Sequence, residues 1–462
     1  MVLILVTLPY SLEDTIVAIA TPPGQAGVGI VRLSGVSALP IAINLFSKKN
    51  MPHGKLVYGH VIHPTDQSII DDGYAVYFKA PKSYTGQNVV EFHLHGSMIT
   101  LSQTVSQVVA LGGRQALPGE FTQRAFLNDK LDLIQAEGVA DLIHAQSLAE
   151  SKLARALMRG RLSDQVHAIK AQLINVLAEL EAFVDFPEED IALARKDFLS
   201  EQLELMIKNA QSLLDTYRKT QTIKDGFRIC FVGKPNAGKS SLFNALLSND
   251  RSIVTDIPGT TRDHISEVLF LEGRKVLLID TAGLRDNTHD PIERLGMEKT
   301  KTVLEDAHMV CVVSDATTAF DGHLLDQLDA VDKQDRVLIL NKIDLTHEPP
   351  MTFHPFFKHV VALSALKDDG VDVLINLMKQ KVLDAMTLQS HGGVSNDRQR
   401  CLLEMVKDQL EMGHAALVKN DSPEFVSFEV RRALQALDSL LGKVHDFDQV
   451  YDEIFSKFCI GK

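Results

Sequence analysis

The spacing of apolar positions divides this chain into stretches of different character. Between about residues 14 and 126, short apolar runs alternate with turn signals. Residues 15–20 and 28–33 predict strands around a Pro- and Gly-rich turn at 22–27, and residues 73–78 and 89–94 predict two more. Residues 100–110 predict a helix stopped by Gly112 and Gly113. From about residue 130 the period becomes helical. Leu131, Ile134, Val139, Leu142 and Ile143 follow a cap signal at Asn128-Asp129. Residues 151–160, 162–184 and 197–221 continue the helical pattern, with a break at Pro187. Between 226 and about 380, strands and helices alternate. The apolar strands are 227–232, 276–279, 309–313, 337–340 and 360–363, and 266–271 pairs with 275–279 as a hairpin across Glu272-Gly273. After a polar break at 389–395, residues 398–417, 424–441 and 447–457 predict helices again.

The alternating block predicts an α/β P-loop domain with ligand loops at the carboxyl ends of its strands. Helices on both sides of it predict one discontinuous all-α domain with the α/β domain inserted. Two separate helical domains are the alternative, but short bundles bury their apolar stripes poorly. The expected domains are 1–127, 128–223, 224–382 and 383–462, the second and fourth forming the helical domain.

Composition adds a few limits. The 462 residues carry a net charge of −13, which argues against broad nonspecific nucleic-acid binding and leaves a local basic groove open. Cys230, Cys311, Cys401 and Cys459 show no CxxC spacing, so neither a disulfide framework nor a zinc site is expected. Residues 1–8 are apolar but lack a basic leader region and are too short to cross a bilayer. Residues 1–12 read as a disposable extension, with a first strand as the alternative. A cytoplasmic protein with no membrane insertion is expected.

The candidate chemistry begins at Gly233-Lys-Pro-Asn-Ala-Gly-Lys-Ser240, which fits G-x-x-x-x-G-K-[ST] between a predicted strand and a predicted helix. Backbone N–H groups around Asn236, Ala237, Gly238 and Ser241 cradle phosphate at the positive end of the helix. Lys239 reaches the β- and γ-phosphates, and Ser240 offers a hydroxyl to Mg²⁺. Asp280-Thr281-Ala282-Gly283 follows a strand; its carboxylate can hold Mg²⁺ through water, and the Gly283 N–H can meet the γ-phosphate. Alone, a D-x-x-G is more often a turn. Asn341-Lys342-Ile343-Asp344 ends another strand, and a carboxylate at Asp344 matches the N1–H and amino donors of guanine, which adenine lacks. The Lys342 stem can lie over the base, with Ser364 and Ala365 closing the pocket. Four motifs in this order predict a GTP-binding domain. Between the first two lies Thr255-Asp256-Ile257-Pro258-Gly259-Thr260-Thr261, polar as a switch must be, with Thr261 a second Mg²⁺ hydroxyl.

One position departs from Ras-like G domains. Leu284 stands where a glutamine would orient water, and leucine cannot do that. Asn236 with carbonyls of the 255–261 segment can hold a monovalent cation beside the phosphates. Arg285, Asp286 and Glu293 are alternative groups for positioning water.

Nearly everything after the first dozen residues resembles the MnmE (TrmE) family of tRNA-modification GTPases. The resemblance rests on Asp14-Thr-Ile-Val-Ala-Ile-Ala-Thr-Pro-Pro-Gly24, Gly27-Val-Gly-Ile-Val-Arg32, the stretch from Pro118 to Asp132, the GTPase set, and Phe458-Cys-Ile-Gly-Lys462. It implies an α+β tetrahydrofolate-binding N-terminal domain that dimerises, the discontinuous helical domain and the inserted G domain. It implies a homodimer working with the flavoprotein MnmG (GidA), as a heterotetramer. Together they would place an aminomethyl or carboxymethylaminomethyl group on C5 of the wobble uridine of certain tRNAs. The one-carbon unit would come from 5,10-methylene-tetrahydrofolate, with 5-formyl-tetrahydrofolate as another folate ligand. K⁺-dependent approach of two G domains would drive GTP hydrolysis. By the same resemblance, Asn236, Thr255, Ile257 and Thr260 form the K⁺ site, Ser240 and Thr261 hold Mg²⁺, and Glu293 is catalytic beside Lys239. Arg32, Glu91, Lys130 and Lys462 match folate-contacting positions. Without the family, Arg32, Glu91 and Lys130 would read as surface charges.

Three further readings stay open. Cys459 is either a packed helix-end thiol or a redox or catalytic group. His93 and His95 share a strand face and invite a metal, though no third ligand is evident. The competing functions are a dimeric regulatory GTPase in ribosome or RNA maturation, which would carry an RNA-binding module and a basic tail, and a folate-dependent enzyme with GTP only as regulator.

Overall fold

The computed structural model describes residues 13–185, 192–249, 266–280, 303–322, 325, 328, 332, 335–346, 354–386, 392–443, 454–456 and 458–462. The expected extension 1–12, most of the helix expected at 447–457, and the candidate residues Thr255, Asp256, Ile257, Pro258, Gly259, Thr260, Thr261, Thr281, Ala282, Gly283, Leu284, Arg285, Asp286 and Glu293 lie outside the described residues. The chain divides into two compact units, one of Met1–Ile143, Arg155–Ala210 and Cys401–Lys462, the other of His144–Ala154 and Gln211–Arg400.

The first unit begins with β1 (Ile16–Ile19), β2 (Ala26–Ser34), β3 (Leu56–Ile62), β4 (Ile69–Phe78), β5 (Val89–Gly96) and β6 (Arg114–Gln115). They form one sheet in the order β3-β4-β5-β2-β1-β6. All pairs are antiparallel except β1 with β6. Helices Ala38–Leu45 and Met98–Ala110 supply Ile41 and Leu101 to a core with Val31, Leu33 and Phe92. Neither β3 nor the first helix is evident from apolar spacing. β3 leaves Leu56 and Tyr58 exposed, so its alternation is blurred.

Helices Leu133–His144, whose last residue falls in the second unit, Arg161–Asp185 and Pro423–Leu441 follow. The cap of Leu133–His144 is not Asn128-Asp129. Asn128 ends the preceding helix Glu120–Leu127. The start is a reciprocal pair: Gln135 N–H donates to Asp132 Oδ1 at 2.8 Å, and Asp132 N–H donates to Gln135 Oε1 at 2.9 Å. Pro423–Leu441 lies against Arg161–Asp185, so helices from either side of the α/β block share a core that includes Leu173, Leu180, Val430 and Leu437. Asp438 pairs with Lys170, and Glu181 accepts hydrogen bonds from Ser427 Oγ at 2.8 Å and Arg431 Nη2 at 2.6 Å.

The second unit holds β7 (Phe227–Gly233), β8 (Ser266–Leu271), β9 (Arg274–Asp280), β10 (Met309–Asp315), β11 (Arg336–Asn341) and β12 (His359–Ala362). Their order is β12-β11-β10-β7-β9-β8, parallel except for β8. Strand order reverses beside β7, where an open α/β sheet forms its ligand crevice. The strands read as near-continuous apolar runs because Val310, Val312, Leu338 and Ile339 are all buried.

Candidate functional site

The loop after β7 runs into helix Lys239–Asn249. Asn236 has a φ of 65°, a left-handed turn that asparagine tolerates better than most residues. Asn236 and Ser240 are exposed, whereas Ala237 and Lys239 are buried. The Lys239 ammonium donates to the carbonyls of Gly233 and Lys234, each at 2.9 Å, and so lies across the loop. Gly238 has a φ of 89°, and a Cβ there would overlap the Asn341 amide nitrogen. Glycine is therefore needed twice over at this position.

Asn341, at the end of β11, joins three segments. Its Nδ2 donates to the Ala237 carbonyl at 3.0 Å, and its Oδ1 accepts from the N–H of Lys342 at 2.8 Å and of Ala365 at 3.0 Å. All three bonds are buried or partly buried, so the phosphate loop and the base-binding motif share one anchor. The buried Ser364 hydroxyl donates to Asp344 Oδ1 at 2.6 Å, which orients an exposed carboxylate. Asp280 ends β9 opposite Phe231 of β7. Gly233, Asp280, Asn341 and Ser364 thus stand at or just beyond carboxyl strand ends of one sheet.

Asp315 escaped the sequence reading. It ends β10 in register with Asn341, and Lys342 Nζ donates to its Oδ2 at 2.7 Å. Burial pushes this carboxyl up, but hydrogen bonds from Lys342 and Thr317 prevail and hold it at about 2. The Lys342 chain is thereby fixed beside the base motif. The available signal was positional: an aspartate closing an apolar strand adjacent to the Asn341 strand.

The first unit gathers three of the four expected folate positions. Arg32 on β2 and Glu91 on β5 are direct cross-strand partners, bonded from Nε to Oε1 at 2.8 Å. His93 meets the other Glu91 oxygen at 3.1 Å. Burial raises the Glu91 pKa, yet His93 and Arg32 together bring it below the usual carboxylate value. Arg32 stands over the rings of Phe121 and Tyr84, 5.6 and 6.0 Å from their centroids. Its Nη1 also donates to the Gly461 carbonyl at 3.1 Å, which brings in the chain end. Lys462 feels burial first and the Arg32 charge second, and both lower its pKa against the pull of Glu91. Lys130 is held apart, donating to the Pro81 carbonyl at 3.1 Å.

The ending is fastened by backbone bonds. Phe121 N–H donates to the Lys462 carbonyl at 3.2 Å, and Gly461 leaves no room for a Cβ against Ala20 Cα, 2.9 Å away. A cavity of about 890 Å³ beside it is lined by Ile19, Pro22, Met98, Val105 and Cys459, among others. Cys459 is exposed, so the packed-thiol reading does not hold; its neighbour Phe458 is the buried one. His95 shares the face of His93 but is engaged by Asp71, at 2.8 Å.

A second cluster that sequence reasoning missed supports this end. Glu120 and Arg124 are fully buried on one helix, 2.9 Å apart. Arg114 donates to Glu120 Oε1 at 2.6 Å and to Asp14 Oδ2 at 2.7 Å, and Arg124 also pairs with Asp14. Asp14 lies 100 residues from Arg114 and 110 from Arg124 in sequence, so its place in the cluster leaves no local signal.

Two family profiles match this chain. The profile described as "GTP-binding protein TrmE N-terminus" covers residues 15–130, and "MnmE helical domain" covers residues 133–459. The protein named tRNA modification GTPase MnmE in Carboxydothermus hydrogenoformans is 36% identical over 98% of this chain and 100% of its own length. Its namesake in Aquifex aeolicus is 38% identical over the same shares. Among solved structures, the G domain of the T. maritima FeoB iron transporter is 25% identical over 35% of this chain and 99% of its own, with a TM-score of 0.26.

Proposed function

This chain belongs to the MnmE family of tRNA modification GTPases, and from that premise we propose how its parts divide the work. GTP is the substrate of the G domain and tRNA the molecule modified. The finer reading is an aminomethyl or carboxymethylaminomethyl group added to C5 of a wobble uridine. A tetrahydrofolate supplies the one-carbon unit, an FAD-dependent MnmG-type partner supplies the redox chemistry, and the chain acts as a homodimer.

The observation that carries the nucleotide part is the Asn341 anchor, because it holds phosphate loop and base motif at a set spacing. Asp344, oriented by Ser364, would read the guanine N–H donors. Lys239 would exchange its two loop carbonyls for phosphate oxygens. Bound Mg²⁺ would supply charge neutralisation, held by Ser240 and Thr261. The donor chemistry suits it: hydroxyl oxygens are ligands for a hard cation. K⁺ would sit by Asn236 with Thr255, Ile257 and Thr260, taking the place of the positive charge that other G domains gain elsewhere. Glu293 would orient the attacking water.

For the folate, the Arg32–Glu91 pair, Lys462 and more distant Lys130 offer both charge signs. Each Glu91 oxygen already accepts one bond and retains a second lone pair for a pterin donor. Arg32 and Lys462 would meet a carboxylate tail.

The test is nucleoside mass spectrometry of tRNA from cells with and without this chain. Loss of a C5-modified uridine at the wobble position is expected. An unchanged nucleoside profile would remove the reading.

A further inference from the structure

Hairpin β8–β9 turns at Glu272 and Gly273, whose φ values of 51° and 69° are those of a two-residue type I′ turn. The start of helix Leu148–Met158 rests on this turn. Ala149 N–H donates to the Gly273 carbonyl at 3.2 Å, and Lys275 Nζ donates to Gln146 Oε1 at 3.0 Å. A Cβ on Gly273 would stand 2.9 Å from Leu148 Cδ1 and 3.0 Å from its Cβ. Leu148 is nevertheless 64% exposed. It is no core residue; its close neighbour is the turn glycine, which has no side chain to hold it off.

Both sides of the contact are stiff. Glu150 N–H donates to Ser147 Oγ at 3.1 Å, and its carboxylate accepts from Gln146 N–H and Ser147 Oγ, each at 2.9 Å. That capping fixes the backbone carrying Leu148. On the other side, β9 is bonded along its length to β7 and β8. It leaves Gly273 at one end and finishes on Asp280 at the other. Its seven residues span about 20 Å at a rise of about 3.3 Å each. Pairing on both edges ties the turn at Gly273 to Asp280 through one continuous strand.

We propose that this contact couples the nucleotide site to helix Leu148–Met158, with Leu148 and Gly273 as positioning residues for tRNA modification. GTP hydrolysis needs only the carboxyl ends of the sheet. Useful work on tRNA needs the opposite end of β9 to push on helix Leu148–Met158. Leu148 supplies the apolar surface that makes the push directional, and Ala149 supplies the bond that prevents slipping. The proposal rests on the tRNA-modification reading above.

The experiment compares Leu148→Ser, Leu148→Met and the unaltered full-length chain. Each is measured for GTP kcat and KM, thermal unfolding, and modified tRNA in cells lacking the endogenous copy. Leu148→Ser should leave hydrolysis and the unfolding midpoint near normal, since an exposed position contributes little to stability. It should lower modified tRNA by roughly fivefold or more, the size of an ordinary coupling between sites. Leu148→Met, similar in volume, should restore modification. Full modification with Leu148→Ser would overturn the proposal. So would a parallel fall in GTP kcat, which would mean that the contact serves the G domain itself. If cells lacking the chain altogether retain normal tRNA, the functional reading fails instead, and the two failures are distinct.

Discussion

The Asn341 side-chain amide donates to the Ala237 carbonyl at 3.0 Å, so the residue that opens the base motif also closes the phosphate loop. Asn341→Asp keeps the shape and the acceptor for Lys342 and Ala365, but turns an oxygen toward the Ala237 carbonyl. A lost buried bond costs about 1–3 kcal/mol, roughly 5- to 150-fold in Kd. Titration of a fluorescent GTP analogue should show a weakening in that range. Unchanged affinity would mean that the two motifs act independently.

Glu120 sits between Arg114 and Arg124 with no exposure of its side chain. Glu120→Ala removes a buried carboxylate that both guanidiniums share. Breaking a buried pair from one side costs about 3–5 kcal/mol. Denaturant unfolding should register a loss of that size in the first unit. A loss below about 1 kcal/mol would class the cluster with surface pairs.

The fold should weaken in mild acid. His308 Nδ1 accepts the Arg228 N–H at 3.0 Å, a role only the neutral ring can fill. Burial, then Arg228 and Arg218, lower its pKa against the opposing pull of Asp335 and Asp225. With the folded pKa below the unfolded one, the unfolded chain binds the extra proton first as pH falls. Stability is therefore complete above about 6.5 and declines as pH falls below it. His359, lowered by burial, Lys381 and Lys358, adds the same sign. The thermal midpoint should fall between pH 7.5 and pH 5.5, and His308→Asn should flatten part of that slope. A higher midpoint at the acid end would contradict the assignment.

Arg32 carries the bond to Gly461 and half of the Glu91 pair. Arg32→Ala should weaken tetrahydrofolate binding by about tenfold or more, because it removes a charge-assisted donor and frees the chain end. Isothermal titration with 5-formyl-tetrahydrofolate measures this directly. Retained affinity would move the folate elsewhere.

Much of the second unit was legible because its signals are local. β7, β10 and β11 are buried on both faces and read as apolar runs, and the hairpin at Glu272-Gly273 announces itself by its turn residues. The first unit was harder. β3 exposes Leu56 and Tyr58, and the cap at Asp132 was obscured by Asn128, which serves the helix before it. Contacts between distant residues were invisible in one dimension. Asp14 with Arg124, Lys342 with Asp315 and Ala149 with Gly273 depend on the fold to bring them together. Arg32 and Glu91 were named through family resemblance; their cross-strand pairing places them side by side.

The central claim is that Asp344, oriented by Ser364, selects guanine nucleotide for the work on tRNA. It is tested most directly by measuring turnover of GTP and of xanthosine triphosphate by the Asp344→Asn protein. The account predicts that GTP turnover falls sharply and that the xanthine nucleotide becomes the better substrate. A variant that still prefers GTP would contradict it.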